Sequence, residues 1–594
     1  MEEWRNFYEN AKSMMWSAAH RVELRRAIRH LRDRGLYAAA KWAAEQLVGL
    51  PEETSRNAGP PPAPYSDSEK TKLKRPSRRK DSTTQVGPGY AGSGNLREED
   101  EEEDDDVLLL AKAFFDMREY RRAAHALRGS TGKKAFFLRC YATYLAGEKR
   151  KEEEIIELAG PLGRSDAVNP ELVGLEQELF ALYSKGALDA FGSYMYGVVL
   201  HERERKADAC TVLCASVNAY PWNWSAWLEL QALCTDPDIL PTLNLNDHWM
   251  RDFFLASVDL DLQRNSDGLA RYRALYALFP RSDHILAQTA TAHYNLRDFD
   301  EAEGLFEELL RSDPYRIEGM DIYSNILYVK ECFAALSHLA HKSVLTDKYR
   351  PETCCIIGNY YSLKAQHEKA VVYFKRALRL NRKYLSAWTL MGHEYVEMKN
   401  TPAAIDAYRR AVDINPRDYR AWYGLGQTYE ILAMPYYALY YYRRATQLRP
   451  HDARMWCAMG QCYETEQLNM HDAAIRCYRR ALSNSDREGI ALHKLAKLHE
   501  NLGQADQAAF YYRKNLERME ADQNEGQDFV DALLFLGNYC KNKGSLEEAE
   551  KFCDRLLDYG DPAKEDAKAL LREIRSVQQH TANLPSMDLE QYTP

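Results

Sequence analysis

Apolar and small residues recur along this chain with a long period, and inside each period they fall at helical spacing. Trp388, Trp422 and Trp456 are successive steps of 34 residues. Met391, Gly392, Tyr395, Ala404, Tyr408, Ala411 and Pro416 follow the first. Leu425, Gly426, Tyr429, Ala438, Tyr442, Ala445 and Pro450 follow the second at the same intervals. The third period opens with Trp456, Met459, Gly460 and Tyr463 and resumes two residues late at Ala474, Tyr478 and Ala481, so an insertion lies near Gln467–Met470. Numbered within the period, positions 4, 7, 8 and 11 share one face of a first helix. Positions 20, 24 and 27 share one face of a second, and Pro near position 32 ends it. Gly at position 8 has no Cβ, so the second helix can approach closely there, although Gly weakens a helix by ~1 kcal/mol.

Helix pairs repeating every 34 residues are tetratricopeptide (TPR) units. The expected fold is therefore all-α, a TPR α-solenoid superhelix. Weaker units extend the register upstream. Gly358, Tyr361, Ala370, Phe374 and Ala377 fit a unit starting at Pro351. A unit from Ile317 is divergent, with Ser324 and Leu336 where small residues belong. Others start at Asp283 (Ala290, Ala302, Phe306, Pro314), Trp249 (Ala256, Gly268, Tyr272, Pro280) and near Ala190 (Gly197, Ala209, Pro221). Trp227 and Leu230 follow, but that unit breaks up in 235–241. Downstream, Leu492, Leu495, Ala496, Ala508 and Tyr512 fit, as do Leu533, Leu536, Gly537 and Ala549. A helix over Ala563–Gln579 is expected to cap the stack. Near the N-terminus, 16–48 reads as a helical hairpin turning at Gly35, and 107–128 as another. The expected organisation is 1–50 N-terminal hairpin, 51–106 insert, 107–248 divergent repeats, 249–562 C-terminal superhelix and 563–594 capping helix and tail.

The insert is Pro-, Gly-, Ser- and charge-rich, with a basic stretch Lys70–Lys80 and an acidic run Glu98–Asp106. Such a composition cannot bury enough apolar surface to order itself, so a disordered acidic insertion is expected. The basic stretch reads first as a solvated segment, with a nuclear-import signal and a nucleic-acid patch as alternatives. The whole chain, 594 residues, exceeds what one core accommodates, which suits a repeat array. Its formal charge of -9 argues against a nucleic-acid binder. No apolar run is long enough to span a membrane, and the Met1-Glu2-Glu3-Trp4 start lacks the layout of a signal peptide, so nucleus and cytoplasm are expected. Twelve Cys in so long a chain suit a reducing compartment rather than a disulfide scaffold.

Catalytic patterns are lacking. No phosphate loop and no H-E-x-x-H occurs. Cys210 and Cys214, like His338 and His341, lie one helical turn apart, but no C-x-x-C completes a zinc site, and packing is the simpler reading. Adjacent Cys354 and Cys355 read the same way. The run Tyr436, Tyr437, Tyr440, Tyr441 and Tyr442 has aromatic faces for base stacking, yet at helical spacing it reads as inter-helix packing. No enzyme, cofactor or metal is expected.

Function should sit on the surface lined by the first helices, since solenoids build extended concave faces. Residues off the packing face are candidates for a peptide-binding groove: Asp321, Asn325, Glu352, Asn359, His393, Glu397, Tyr423, Gln427, Glu430, Gln461 and Glu464. Asn325, Asn359, His393 and Gln427 share position 9 of four successive repeats and form a polar ladder suited to hydrogen-bonding an extended main chain. Carboxylates beside it could clamp an Arg. A chaperone-docking cofactor is the alternative, but its carboxylate clamp needs Lys and Asn at positions 5 and 9 of one repeat. Position 5 here reads Asp321, Cys355, Thr389, Tyr423 and Cys457. A TPR-armed glycosyltransferase would need a Gly-rich α/β domain, and no such pattern remains.

Within Tyr384–Pro450, "AWTLMGHEYVEMKNTPAAIDAYRRAVDINPRDYRAWYGLGQTYEILAMPYYALYYYRRATQLRP" resembles the cell-division-cycle TPR subunit family of the anaphase-promoting complex, its eighth subunit. So do "DKYRPETCCIIGNYYSLKAQHEKAVVYFKRAL" (347–378), "LAKLHENLGQADQAAFYY" (495–512) and the N-terminal "ELRRAIRHLRDRGLYAAAKWAAEQLVGL" (23–50). The likeness stops at 51–106 and after about 580. It implies a non-catalytic subunit of a cell-cycle ubiquitin ligase, a homodimer through the N-terminal repeats. It also implies a C-terminal superhelix that binds other subunits and the coactivator, whose basic-aromatic box contains Arg. Neither a nucleic-acid nor a membrane partner is implied.

Overall fold

The structure is a computed structural model that describes residues 19–51, 106–159, 167–484, 486, 489–521, 526–560 and 563–582. The expected disordered insertion lies, apart from its end residues, outside the described residues. Every regular element among the described residues is helical. The chain forms two compact units, Met1–Cys332 and Phe333–Pro594.

In the second unit the hairpins follow the 34-residue register: Pro351–Leu363 with His367–Leu380, Leu385–Glu397 with Thr401–Ile414, Tyr419–Ile431 with Pro435–Leu448, and Ala453–Glu464 with His471–Ser483. Ile490–Asn501 with Ala505–Ala521 and Gln527–Lys543 with Leu546–Leu556 continue the stack, and Ala563–Ala582 packs against its end. Each helix packs on its sequence neighbours, and Leu385–Glu397 also touches the first helices on either side, so the first helices line one wall.

The close approach expected at position 8 is present. A Cβ on Gly392 would sit 2.5 Å from the Tyr408 ring, and one on Gly460 2.6 Å from that of Tyr478. Gly358 meets Phe374, and Gly426 meets Tyr442, in the same way. All four aromatic rings are fully buried. The Trp–Pro spacing has a hydrogen-bonding cause as well. The indole Nε1–H of Trp422 donates to the Pro416 carbonyl at 2.8 Å, and Trp456 to Pro450 at 2.8 Å. Trp388 reaches Arg382 at 3.0 Å and, in the first unit, Trp227 reaches Pro221 at 2.7 Å. The indole therefore ties each first helix to a carbonyl of the loop that follows the preceding helix, six residues upstream.

The turn inside each hairpin is left-handed at one recurring place. Gln263, Arg297, Glu331, Ala365, Lys399 and Ala433 follow each other at 34-residue steps with φ of +54° to +66°. The next residue closes a six-to-one backbone bond, as from Asn400 N–H to Tyr395 O at 2.8 Å and Met434 N–H to Tyr429 O at 2.9 Å. Gly503 and Gly544 hold the equivalent turns with the residue that tolerates this conformation best. The third repeat's insertion enlarges its turn, where Asn469 takes φ +45°.

The first unit contains hairpins at the expected places, including Ala190–Glu202 with Lys206–Ala219, Trp249–Asp261 with Asn265–Leu278 and Asp283–Leu296 with Phe299–Ser312. A 3-10 helix, Pro237–Thr242, occupies the stretch where the Trp227 unit breaks up. Residues 129–189, which show no repeat register, form a long helix Lys133–Ala159 and the shorter Leu172–Tyr183.

Two substitutions test this register by thermal melting. Gly392→Leu is expected to destabilise the chain by ~1–3 kcal/mol, because the buried Tyr408 ring has nowhere to go. Ala433→Gly is expected to stabilise it by ~0.5–1 kcal/mol, since relief of a left-handed non-Gly residue outweighs the added freedom of the unfolded chain. Wild-type melting of Gly392→Leu would break the assignment.

Candidate peptide-binding site

The wall of the second unit carries most of the candidate residues, and the structure sorts them. His393, Glu397 and Gln427 are exposed. Tyr423, Gln461, Glu352, Glu430 and Glu464 are partly covered. Asn359 is only 2% exposed, so the position-9 ladder of this unit is accessible at His393 and Gln427 and not at Asn359. In the first unit Asp321 is buried at 6% exposure, and Asn325 is partly covered.

Several of these side chains also hold the hairpins together. A buried tyrosine at position 24 seeks a partner for its hydroxyl, and in three hairpins the wall supplies it. Tyr442 donates to Glu430 at 2.6 Å, Tyr512 to Glu500 at 2.7 Å, and the Tyr408 hydroxyl bonds His393 Nδ1 at 2.8 Å. Burial raises the Glu464 carboxyl above its usual range, against the opposing pull of the Tyr478 hydroxyl and nearby cations. Glu352 lies 3.5 Å from Arg350. Glu397 is the carboxylate of the set that stands exposed, so it is the best placed to meet a ligand cation.

Sequence reasoning missed Glu394. It is 5% exposed and accepts from the Ser362 hydroxyl at 2.6 Å and faces His367 Nδ1 at 2.8 Å, bridging two hairpins. The pattern gave no sign of this, because position 10 falls between the packing and open faces. Cations lie on and beside this wall. Arg449 lies over the Tyr419 ring at 4.5 Å, and Arg454 pairs with Asp452 at 2.9 Å. Burial pushes the Tyr419 phenol up, but Arg420, Arg449 and Arg454 outweigh it and hold its pKa below the usual value.

The first unit has a wall of its own, and the N-terminal hairpin lies along it. The hairpin of helices 19–33 and Tyr37–Gly49 reaches Ala190–Glu202, Trp224–Leu233, Trp249–Asp261 and Asp283–Leu296. The Arg34 guanidinium covers the Phe191 ring at 4.0 Å. Trp42 stacks on Trp224 at 4.4 Å and meets Phe253 edge-on at 5.3 Å. The Ser282 hydroxyl donates to Gln46 Oε1 at 2.8 Å, and Lys41 pairs with Glu318 at 2.6 Å. At its turn, Gly35 packs on the Phe115 ring of Asp106–Asp116, as a neighbouring hairpin would. Sequence periodicity located the hairpin but not its docking along the wall, which joins residues more than 200 apart in the chain (Gln46 and Ser282).

The profile of the family described as Anaphase promoting complex subunit 8 / Cdc23 matches residues 19–290, and TPR profiles match 351–384, 392–431, 453–486 and 490–518. The anaphase-promoting complex subunit 8 of Arabidopsis thaliana is 61% identical over 574 residues, covering 96% of this chain and 98% of that protein. That of Dictyostelium discoideum is 47% identical, covering 94% and 98%. The chain belongs to the anaphase-promoting complex subunit 8 / Cdc23 family. The crystal structure of the APC/C hetero-tetramer Cut9-Hcn1 aligns with 80% of this chain and 96% of that one, at 15% identity and a TM-score of 0.48.

The stretch matched by the subunit 8 / Cdc23 profile holds both the docked hairpin and the wall beneath it. Two histidines stand at that contact. His248 accepts from the Met250 N–H at 3.2 Å, and His284 lies 5.8 Å from the Trp42 ring with its Nε2 buried and without a hydrogen bond among the described residues. Burial lowers both pKa values to about 4, despite the carboxylates of Glu23 and Asp247 near His248 and of Glu318 near His284. The folded state thus keeps them neutral, while the unfolded chain takes up protons from about pH 6.5 downward. Their contribution is complete above about pH 6.5 and is lost as pH falls toward 4. Hairpin release, followed by tryptophan fluorescence, is expected over that window, and His284→Gln should shift its midpoint to lower pH. An unshifted midpoint would assign the acid response to other groups.

Proposed function

We propose that this chain is a non-catalytic TPR scaffold subunit of the anaphase-promoting complex in the nucleus and cytoplasm. It pairs with a second copy through its N-terminal repeats and holds other subunits. Its second unit receives an extended segment of the coactivator, the basic-aromatic box with its Arg. The observation that carries this reading is identity at the level of 61% along nearly the whole length of a protein named as that subunit. The wall of first helices supports it chemically. Gln427 and His393 offer main-chain hydrogen bonds, and Glu397 offers an exposed carboxylate for a guanidinium.

Co-purification of the endogenous chain at moderate salt, with identification of the proteins retained, tests membership; recovery without other subunits of the complex would refute it. The groove is tested separately, by anisotropy titration of a labelled basic-aromatic-box peptide. Glu397→Ala combined with Gln427→Ala is expected to weaken binding about tenfold or more, since truncating a partly desolvated charge pair leaves its partner unpaired. Helical content and oligomeric state should not change. Unaltered affinity in the double variant would place the coactivator elsewhere.

A further inference from the structure

A cleft in the first unit, about 620 Å³ in volume, lies between the turn leading into the helix Tyr120–Ala126 and the middle of Lys133–Ala159. Arg118, Arg121, Arg122, Lys149 and Arg150 line it together with Tyr120, and all five cations are exposed. Two carboxylates, Glu119 and Glu153, also line it, and Glu119 is taken by Arg122 at 2.5 Å. Arg118, Arg121, Lys149 and Arg150 form no ion pair among the described residues.

Other cations of the same unit are neutralised, Lys330 by Asp300 and Glu303, and Arg203 and Arg205 by Glu176. The whole chain is acidic, with a formal charge of -9. Four like charges converging on one cleft repel each other, and the chain offers acidic residues enough to have interleaved them. The rim is also held in place. Arg118 sits in a left-handed turn at φ +60°, its N–H bonded to the Phe115 carbonyl at 2.9 Å. Phe115 is buried, and Tyr120 meets its ring edge-on at 5.4 Å. Arg122 lies over the Phe114 ring at 4.1 Å. Arg118 and Arg122 are therefore presented from a packed base.

We propose that this cleft docks a phosphoserine or phosphothreonine in an acidic segment of a partner protein. Guanidinium forks match the oxygens of a phosphoryl dianion, which carries up to two charges and three strong acceptors, better than they match a single carboxylate. The fit is to a short segment and not to a nucleic acid. The cations are confined to one cleft rather than drawn out in a stripe, and Glu153 at its edge accepts a peptide N–H but repels a second phosphate.

The test uses the full chain and a fluorescein-labelled peptide bearing one phosphoserine flanked by glutamates, its unphosphorylated counterpart, and a single-stranded RNA of similar length. The phosphopeptide is expected to bind about tenfold more tightly than the serine peptide, and more weakly as salt is raised. Arg121→Glu with Arg150→Glu should abolish that preference, while Arg479→Glu, an exposed site in the other unit, should leave it intact. Arg121→Gln with Arg150→Gln, the gentler pair, serves if charge reversal lowers the melting temperature. Equal affinity for the two peptides, or a preference that survives both pairs, overturns the proposal. Tighter binding of the RNA to the same residues overturns it in favour of a nucleic-acid site.

Discussion

The contact between a glycine on one helix and a buried aromatic ring on the next is the constraint on which the second unit depends. Each of Gly358, Gly392, Gly426 and Gly460 faces the ring sixteen to eighteen residues on, at Phe374, Tyr408, Tyr442 and Tyr478. A Cβ at any of these glycines would enter the ring's space. The missing side chain thus fixes the helix separation, and the separation fixes which residues remain outside the contact. Because each hairpin touches its neighbours in sequence, the same local solution is repeated rather than a single global core assembled.

Burying a tyrosine in that contact creates a second obligation. Its hydroxyl emerges on the wall side and needs a partner, and His393, Glu430 and Glu500 provide one in different hairpins. Wall residues therefore serve two ends. A carboxylate that accepts from a phenol is oriented and partly screened before any ligand arrives. Glu397 lies one helical turn beyond His393, outside that arrangement, and is exposed. The open face and the packing face are adjacent layers of one helix, and substitutions in the first will often disturb the second.

Where the repeat was strong in the sequence, the structure was legible nearly to the residue. Trp388, Trp422 and Trp456 could be recognised because the fold uses each indole twice, as apolar mass and as a donor to a fixed carbonyl. The left-handed turn at Lys399 and Ala433 was invisible, since neither residue advertises a positive φ as Gly503 does. Burial of Asn359 was equally hidden, because helical periodicity gives the direction of a side chain but not what surrounds it. In 129–189 no register could be read, and a helix as long as Lys133–Ala159 does not fit the hairpin length that the period implies.

The N-terminal hairpin shows why local patterns run out. Its amphipathic spacing demanded a partner face but did not specify which. Gly35 against Phe115 is the neighbour contact that a solenoid leads one to expect. Trp42 against Trp224 is not, and it exists because the first unit's wall is lined with aromatic rings where the second unit's is polar. A polar wall offers hydrogen bonds to an extended chain and little apolar area to a helix. A wall of Trp224, Trp249 and Phe253 offers the reverse, since burying large rings is what stabilises a docked helix. The two walls, built from the same kind of hairpin, are therefore suited to ligands of different secondary structure. The difference lies in the side chains presented at positions that the packing leaves free.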